Sequence, residues 1–461
     1  MDVSGSEMIF EQVRKNGDVV VAGTPKLDID LYLQNYSGST RFERLEFIGT
    51  HSVALSVEAL KAAVIEAKKG RDWNNYKSAL DKLRSIAPDE PEAIYDIAWG
   101  ESTTKRNLAE TDRLEAQLKA YKNNLIKESV RMGNEDLGKH YEAIGDLTKA
   151  YEAYSRMRQD ISMQRHIIDV SKHLISVAIR QKNWIAVQSN VQKMMAVHQS
   201  AEDERALAPY IKVCLGLINL GGANFWDAAL AFLGVNSGVG TEFNDKVSPN
   251  DIAIYGGLCA LASMDRENLQ KRVLENTNFR TYLELEPHIR RAIAFFVNGR
   301  YSACLSILED YRNDYLLDCR IGSLVPEIYV LIRSKSIVQY FVPFSCVTLD
   351  GLNAAFAPPG QSIEEELISM IQRGILEARI DAQKRLLLSV PSLPRATLQK
   401  ETLDSARAYE RELRHRIQRM NIIGADVEVR GAVKKGQGGG QLHPDDLFVH
   451  SRAGEHGLRP K

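Results

Sequence analysis

The side chains able to carry metal or nucleophile chemistry are scattered along this chain and assemble no catalytic motif. Ten histidines are dispersed through it, with no H-x-H pair and no H-E-x-x-H, so neither helix-borne zinc-hydrolase motif is present. The cysteines are Cys214, Cys259, Cys304, Cys319 and Cys346. Their number is odd, their spacing wide, and no C-x-x-C occurs, which predicts reduced, mostly buried thiols in an intracellular protein. A G-x-S-x-G nucleophile elbow is missing too. Gly431 to Gly436 has the glycine spacing of a phosphate-binding loop, but Gln437 stands where lysine is required. The loop also falls in a Gly-rich tail rather than between a strand and a helix. No catalytic, cofactor-binding or metal-binding residue is expected.

Charge gives the same kind of answer. Lys+Arg is 59 and Asp+Glu is 60, a net charge of −1 that argues against a nucleic-acid coat or a polybasic membrane protein. Glu364, Glu365 and Glu366 open a helix that has only Arg373 as a cation, the wrong sign for contacting phosphates. Arg411, Arg414, Arg416 and Arg419 are interleaved with Glu410 and Glu412, which reads as a solvated, ion-paired helix face.

The elements that must position these residues are mostly helices. The 461 residues are 44% apolar and 26% charged, a globular balance with room for two to four domains of roughly 100–200 residues. The opening MDVSGSEMIF has no basic n-region and no apolar core, so no signal peptide is expected. The weakly polar stretch Ile252 to Met264 is too short to span a bilayer. From Leu31 to about Arg333, apolar residues recur at three- and four-residue steps, predicting a nearly all-helical region. In LGKHYEAIGDLTKAYEAY (137–154), Leu137, Gly138 and Tyr141 precede a turn at Gly145, and Ala150 and Tyr154 follow it. This is tetratricopeptide-like spacing, with small residues letting two helices approach and tyrosines filling the groove; Asn134 replaces the frequent tryptophan. Further turns are expected at Gly70, Lys182-Asn183, Gly222, Asp265 and Asn298-Gly299, a period suited to stacked hairpins. Trp73, Trp99, Trp184 and Trp226 are expected to pack in that stack.

After Lys335 the pattern becomes helix, short strand (Phe344 to Val347), helix from about Asp350, a break at Pro358-Pro359-Gly360, helix, then a hairpin. Ser362 and Glu365 are spaced as a capping box, and Gly374 suits the helix end. Strands are expected over 375–380 and 386–390, completing a winged helix. Pro391 and Pro394 break the chain before a last helix, about Thr397 to Met420. On it Leu403, Ala406, Tyr409, Leu413, Ile417 and Met420 form an apolar stripe that needs a partner. The fold class is therefore mainly α: a TPR-like helical-repeat solenoid, a winged-helix domain and a C-terminal amphipathic helix.

This layout resembles the PCI-domain proteins. The blocks YSGSTRFERLEFIGTH (36–51), YKNNLIKESVRMGNEDLGKHYEAIGDLTKAYEAYSRMR (121–158), QKNWIAVQSNVQKM (181–194) and IEEELISMIQRGILEARIDAQKRLL (363–387) resemble the COP9 signalosome subunit 1 family most closely. The resemblance covers roughly 28 to 423 and divides the chain into a flexible arm (1–27), TPR-like repeats (28–290), a PCI domain (291–390, winged helix 335–390), a bundle helix (391–425) and a disordered tail (426–461).

The resemblance implies a non-catalytic subunit. The signalosome removes the ubiquitin-like modifier Nedd8 from cullins, and a separate zinc metalloprotease subunit does the chemistry. Expected partners are the other PCI subunits, the metalloprotease subunit and, through the complex, cullin-RING ligases. Direct nucleic-acid and membrane contacts are not expected, and the compartments are cytoplasm and nucleus. Winged helices of such subunits align edge to edge, and their terminal helices gather in a bundle. The interface candidates here are Ile375, Ile380, Leu386 and Leu388 on the hairpin and Leu403, Tyr409, Leu413, Ile417 and Met420 on the last helix. The proteasome-lid counterpart and a nucleic-acid-associated PCI adaptor are the alternatives.

Overall fold

The computed structural model describes residues 5–15, 17–124, 126–197, 201–236, 244–356, 362–390 and 394–425. Two compact units divide the chain, Met1–Ser389 and Val390–Lys461. The first begins with helices α1 (Gly5–Lys15), α2 (Ile29–Gln34), α3 (Ser39–His51), α4 (Ser56–Lys69) and α5 (Trp73–Ile86). Next come the long α6 (Ile97–Asn123), then α7 (Lys127–Ala143), α8 (Leu147–Arg156), α9 (Gln164–Arg180) and α10 (Trp184–Met195). The series continues with α11 (Ala201–Gly221), α12 (Phe225–Leu233), α13 (Pro249–Ser263), the short α14 (Arg266–Asn268), α15 (Thr277–Leu285), α16 (Pro287–Val297) and α17 (Tyr301–Leu316). The winged helix is α18 (Val325–Phe341), β1 (Cys346–Thr348), α19 (Leu349–Phe356), α20 (Glu364–Gln372), β2 (Ala378–Asp381) and β3 (Leu386–Ser389). The helix–strand–helix–helix–hairpin order is the one the sequence predicts.

One turn recurs through the hairpin stack. Gly145, Lys182, Ala223 and Gly299 all have positive φ, between 54° and 85°. The following residue donates its N–H five positions back each time: Asp146 to Tyr141, Asn183 to Ala178, Asn224 to Asn219 and Arg300 to Phe295, at 2.8–2.9 Å. This is the Schellman closure of a helix end. Asp146 and Asn183 then cap the next helix by accepting from Lys149 N and Ala186 N. A three-residue turn thus stops one helix and starts its antiparallel partner.

Packing in the α7–α8 hairpin follows the predicted spacing. A Cβ on Gly138 would stand 2.4 Å from the Tyr154 ring, so only glycine admits that ring. Ala150 and Tyr154 are fully buried. Trp73 and Trp99 pack with Tyr76 and Tyr95, and Trp184 is partly buried against the main core. Trp226 differs from the expectation: it is 36% exposed, because it stands on the outer side of α12 while Phe225 and Ala229 take the buried positions.

The described residues of the first 27 (5–15 and 17–27) are more ordered than a loose arm. Phe10 and Val13 of α1 are buried, and α1 packs on α3 and α5. Val21 exchanges backbone hydrogen bonds with the α3–α4 connection (Val21 N to His51 O, 2.7 Å; Val53 N to Val21 O, 3.0 Å), and Lys26 N donates to Asp314 at 2.8 Å. Strap-like pairing of backbone to a distant segment leaves no periodic signal.

A buried polar node joins this N-terminal part to the later helices. Arg44 of α3 is fully buried. It donates to Asp251 of α13 at 2.8 Å and to Asp318, just after α17, at 2.9 Å. Tyr255 donates to Asp318 at 2.8 Å, Tyr36 donates to Asp251 at 2.6 Å, and the guanidinium lies 4.0 Å from the Tyr36 ring centroid. Burial alone would raise the Asp318 pKa, but the Arg44 guanidinium and the Arg320 N–H overcome it and hold the carboxyl below its ordinary value. Asp251 is raised, because burial and the nearby Asp318 charge outweigh Arg44. Asp251 also closes a capping box with Ser248. Farther along, Lys335 of α18 donates to Met264 O at 2.6 Å and to Leu261 O, fastening the winged helix to the end of α13; burial brings its amine down to about 7.

Candidate functional site

The strand order is β1-β3-β2, antiparallel throughout, so β3 is central and β1 and β2 are the edges. This corrects part of the sequence expectation. Leu386 and Leu388 lie on β3, whose partners are Thr348 and Cys346 on one side and Asp381 and Arg379 on the other. Their backbone is already paired, and only their half-buried side chains face outward with these neighbours. Ile380 is on edge strand β2 opposite Leu387, on the inner side of the sheet. Ile375 precedes β2 and is 45% exposed; its N–H returns to Met370 O at 2.9 Å in the Gly374 closure. Gly374 has φ of +70°, as its predicted place at the helix end requires.

The predicted capping box before α20 does not form. Ser362 accepts from Glu364 N at 3.3 Å, one residue short of the box geometry, and α20 begins without a side-chain cap. The carboxylates of its first turn are used otherwise. Arg333 of α18 donates from Nε to Glu366 at 2.8 Å and from its terminal nitrogen to Phe356 O at 2.9 Å, clamping α20 and α19 to α18. Arg385 reaches Glu364 at 3.4 Å and Asp350 at 3.3 Å.

Sequence reasoning missed the apolar side chains beside β1. Val342 is 69% exposed and Phe344 44%, immediately before that edge strand. Val330 and Leu331 of α18 and Ile368 of α20 are exposed as well. The available signal was Pro343, which ends the helix and presents the two flanking apolar residues.

The second unit, taken by itself, is helix α21 (Pro394–Gly424), longer at both ends than predicted. Leu403, Tyr409, Leu413, Ile417 and Met420 are all exposed, Leu413 least at 39%. Leu398 and Ile423 extend the stripe, while Ile422 is exposed on the opposite face of the helix. On the polar face Arg414 pairs with Glu410 at 2.7 Å and Arg416 with Glu412 at 2.5 Å, one turn apart, as the interleaving predicts. Among the described residues no group of His, Cys, Asp and Glu is placed to hold a metal ion, and no helix is long and apolar enough to cross a membrane. Cys214, Cys259 and Cys304 are buried and Cys346 is exposed, all as free thiols. The Gly431–Gly436 loop and the tail from 426 lie outside the described residues.

Two family models match the chain: "26S proteasome subunit RPN7" over residues 96–272 and "PCI domain" over residues 308–389. The COP9 signalosome complex subunit 1 of Emericella nidulans is 48% identical over 423 residues, covering 89% of this chain and 85% of the relative. The chain belongs to the COP9 signalosome subunit 1 family. The Neurospora crassa protein of the same name is 49% identical over 400 residues, covering 87% of this chain and 91% of the relative. The 26S proteasome non-ATPase regulatory subunit 6 homolog of Arabidopsis thaliana is 22% identical over 345 residues, covering 74% and 80%, and stands as a paralogue. The PCI match ends at the last residue of β3, so the family's domain closes where the first compact unit closes.

Proposed function

We propose that this chain is a non-catalytic scaffold subunit of the COP9 signalosome, acting in the cytoplasm and nucleus within a complex that removes Nedd8 from cullins and so regulates cullin-RING ligases. The observation that carries the reading is the exposed stripe of α21, an apolar face left uncovered by the described residues of its own unit, in a member of this family. Ile375 and the outward Leu386 and Leu388 offer a second contact for neighbouring PCI subunits, with the free edges of β1 and β2 able to add a strand; Ile380, on the inner side of the sheet, supports that contact from within the core. The division 1–27, 28–290, 291–390 and 391–425 assigns the repeats to an arm and the last two segments to assembly. The isopeptidase chemistry belongs to a metalloprotease partner. Direct nucleic-acid binding is disfavoured by the carboxylates opening α20.

The test is the double substitution Leu413→Asp with Ile417→Asp. Two unpaired charges in a buried seam cost several kcal/mol, roughly 3–5 each. The variant chain keeps its far-ultraviolet circular dichroism but no longer co-purifies with the metalloprotease subunit and Nedd8-removing activity. Normal incorporation of the variant would falsify the bundle role, and recovery of the native chain with proteasome particles would move it to the lid.

A further inference from the structure

A cavity of about 340 Å³ opens beside the Arg44 node, between the strap that leads into α2, the start of α13, the start of α16 and the end of α17. That volume is at the small end of ligand pockets, which run from roughly 300 to 1,000 Å³. Five carboxylates line it: Asp28, Asp251, Glu286, Asp314 and Asp318. Arg44 serves Asp251 and Asp318, and Asp28 caps α2 by accepting from Asp30 N and Leu31 N. Glu286 and Asp314 form no ion pair with a lysine or arginine side chain among the described residues. Glu286 accepts from Asn250 at 2.7 Å and faces a His288 ring nitrogen at 3.3 Å, but burial lowers the His288 pKa to about 4, so that ring is neutral at pH 7. Asp314 accepts the backbone N–H of Lys26 at 2.8 Å.

The walls are aromatic. Tyr32, Tyr36, Tyr311 and Tyr315 line the cavity, with Leu31 and Ile254 as aliphatic surface. Ring faces attract cations, and two cations of the chain already use them. The Arg44 guanidinium lies 4.0 Å from the Tyr36 ring centroid, and the Lys26 ammonium lies 4.4 Å from that of Tyr311. Arg44 shows what the combination holds: one guanidinium, a tyrosine face and two carboxylates. Tyr311, Glu286 and Asp314 repeat the set, with only Lys26 at the rim as their cation. The Lys26 side chain is 53% exposed, and its one ion pair, 3.9 Å long, is with Asp310, outside the lining. Arg44 and Lys26 together stand against five carboxylates, an excess that pairing within the chain does not remove.

We propose that this cavity receives an arginine side chain from a peptide segment of a partner protein, with the guanidinium at Glu286 and Asp314 and the stem against Leu31 and Ile254. Arginine suits the site better than lysine, because its planar, weakly hydrated head stacks on tyrosine and bridges two carboxylates, as Arg44 does at the adjoining node. Among the described residues no acidic group is arranged to hold a metal ion, and the aromatic walls favour an organic cation. Lys26 is the side chain that the ligand displaces; half-exposed and loosely paired, it gives way at little cost. None of these residues belongs to the assembly surfaces proposed above, so the inference stands or falls apart from that reading.

The experiment is isothermal titration calorimetry of the full chain at about 50 mM salt. The ligands are butylguanidinium, its neutral isostere butylurea, and the blocked tripeptide acetyl-Gly-Arg-Gly-amide. Saturable one-to-one binding of butylguanidinium and of the tripeptide is expected with Kd of about 1 mM, as suits so small a ligand, and butylurea should bind at least about tenfold more weakly. Glu286→Gln should weaken the tripeptide about tenfold. Lys26→Gln should tighten it about threefold, because the resident cation is gone while the Lys26 backbone bond to Asp314 stays. Glu267→Gln, which removes an exposed carboxylate outside the cavity, should change nothing. Thermal melts matching the native chain establish that each variant is folded, and if Glu286→Gln does not fold, the exposed Lys26→Gln remains the test. Absence of saturable butylguanidinium binding, equal binding of butylurea, or unchanged affinity in both cavity variants overturns the proposal. Binding of butylguanidinium with exclusion of the tripeptide overturns the assignment to a partner's side chain and leaves a free organic cation as the ligand.

Discussion

Helices α9 and α21 carry the same kind of pattern and meet opposite fates. On α9, Val170, Leu174, Ile175, Val177, Ala178 and Ile179 are buried. On α21, Leu403, Tyr409, Leu413, Ile417 and Met420 recur at similar steps and stay exposed. The difference lies in the segment next to each helix along the chain. Lys182-Asn183 closes α9 and caps α10, so a covering partner arrives within one turn. α21 has no such neighbour among the described residues of its unit, and its 31 residues exceed the roughly 12–15 at which helices become viable in water. Its Arg–Glu pairs add about 0.2–0.5 kcal/mol apiece. Periodicity says that a face needs cover; the turn chemistry beside it says whether the chain supplies that cover itself.

The contrast breaks most severely at the node. Arg44→Met leaves Asp251 and Asp318 facing each other without their cation and should cost about 3–5 kcal/mol, read as a lowered urea midpoint. Gly138→Leu forces a side chain into the Tyr154 ring and should cost about 1–3 kcal/mol in the same measurement. Acidification sharpens the contrast. Burial lowers His288 to about 4, and also lowers His51, His140 and His173, so the unfolded chain binds more protons between its pKa near 6.5 and the folded value. The histidine contribution to stability is complete above pH ~6.5 and is lost as pH falls toward ~4. His288→Asn should flatten the fall in melting temperature over that window. A smaller change has the opposite sign. Ala223→Gly relieves a left-handed alanine and should add about 0.5–1 kcal/mol. Leu413→Asp with Ile417→Asp in the free chain should move the urea midpoint by no more than about 0.5 kcal/mol, since the stripe is exposed.

Much of this was legible in the residues. The 137–154 hairpin, the turns between the paired helices and the winged-helix order follow from local spacing, and the structure has them; which turn residue takes the positive φ, Ala223 rather than Gly222 in one case, was not legible. The stripe on α21 was legible as a stripe. What escaped depends on contacts distant in sequence. Arg44 sits inside the 36–51 block, but nothing local announces partners at Asp251 and Asp318. The central position of β3 was hidden because hairpin patterning does not reveal that β1 returns to pair beside it. The capping box expected at Ser362 does not form, whereas Ser248 and Asp251, separated by a proline at the first helical position, make one that the spacing alone did not single out.

The node also sets a timetable for synthesis. Arg44 and Asp318 are 274 residues apart, and ribosomes add roughly 5–20 residues per second, so α3 waits on the order of 14–55 s for its second carboxylate. During that interval the nascent N-terminal helices hold a guanidinium destined for the interior and apolar faces awaiting their cover. Exposed apolar surface of this kind is what makes unfinished chains prone to aggregate, and a chain truncated before Asp318 would keep Arg44 without its second carboxylate.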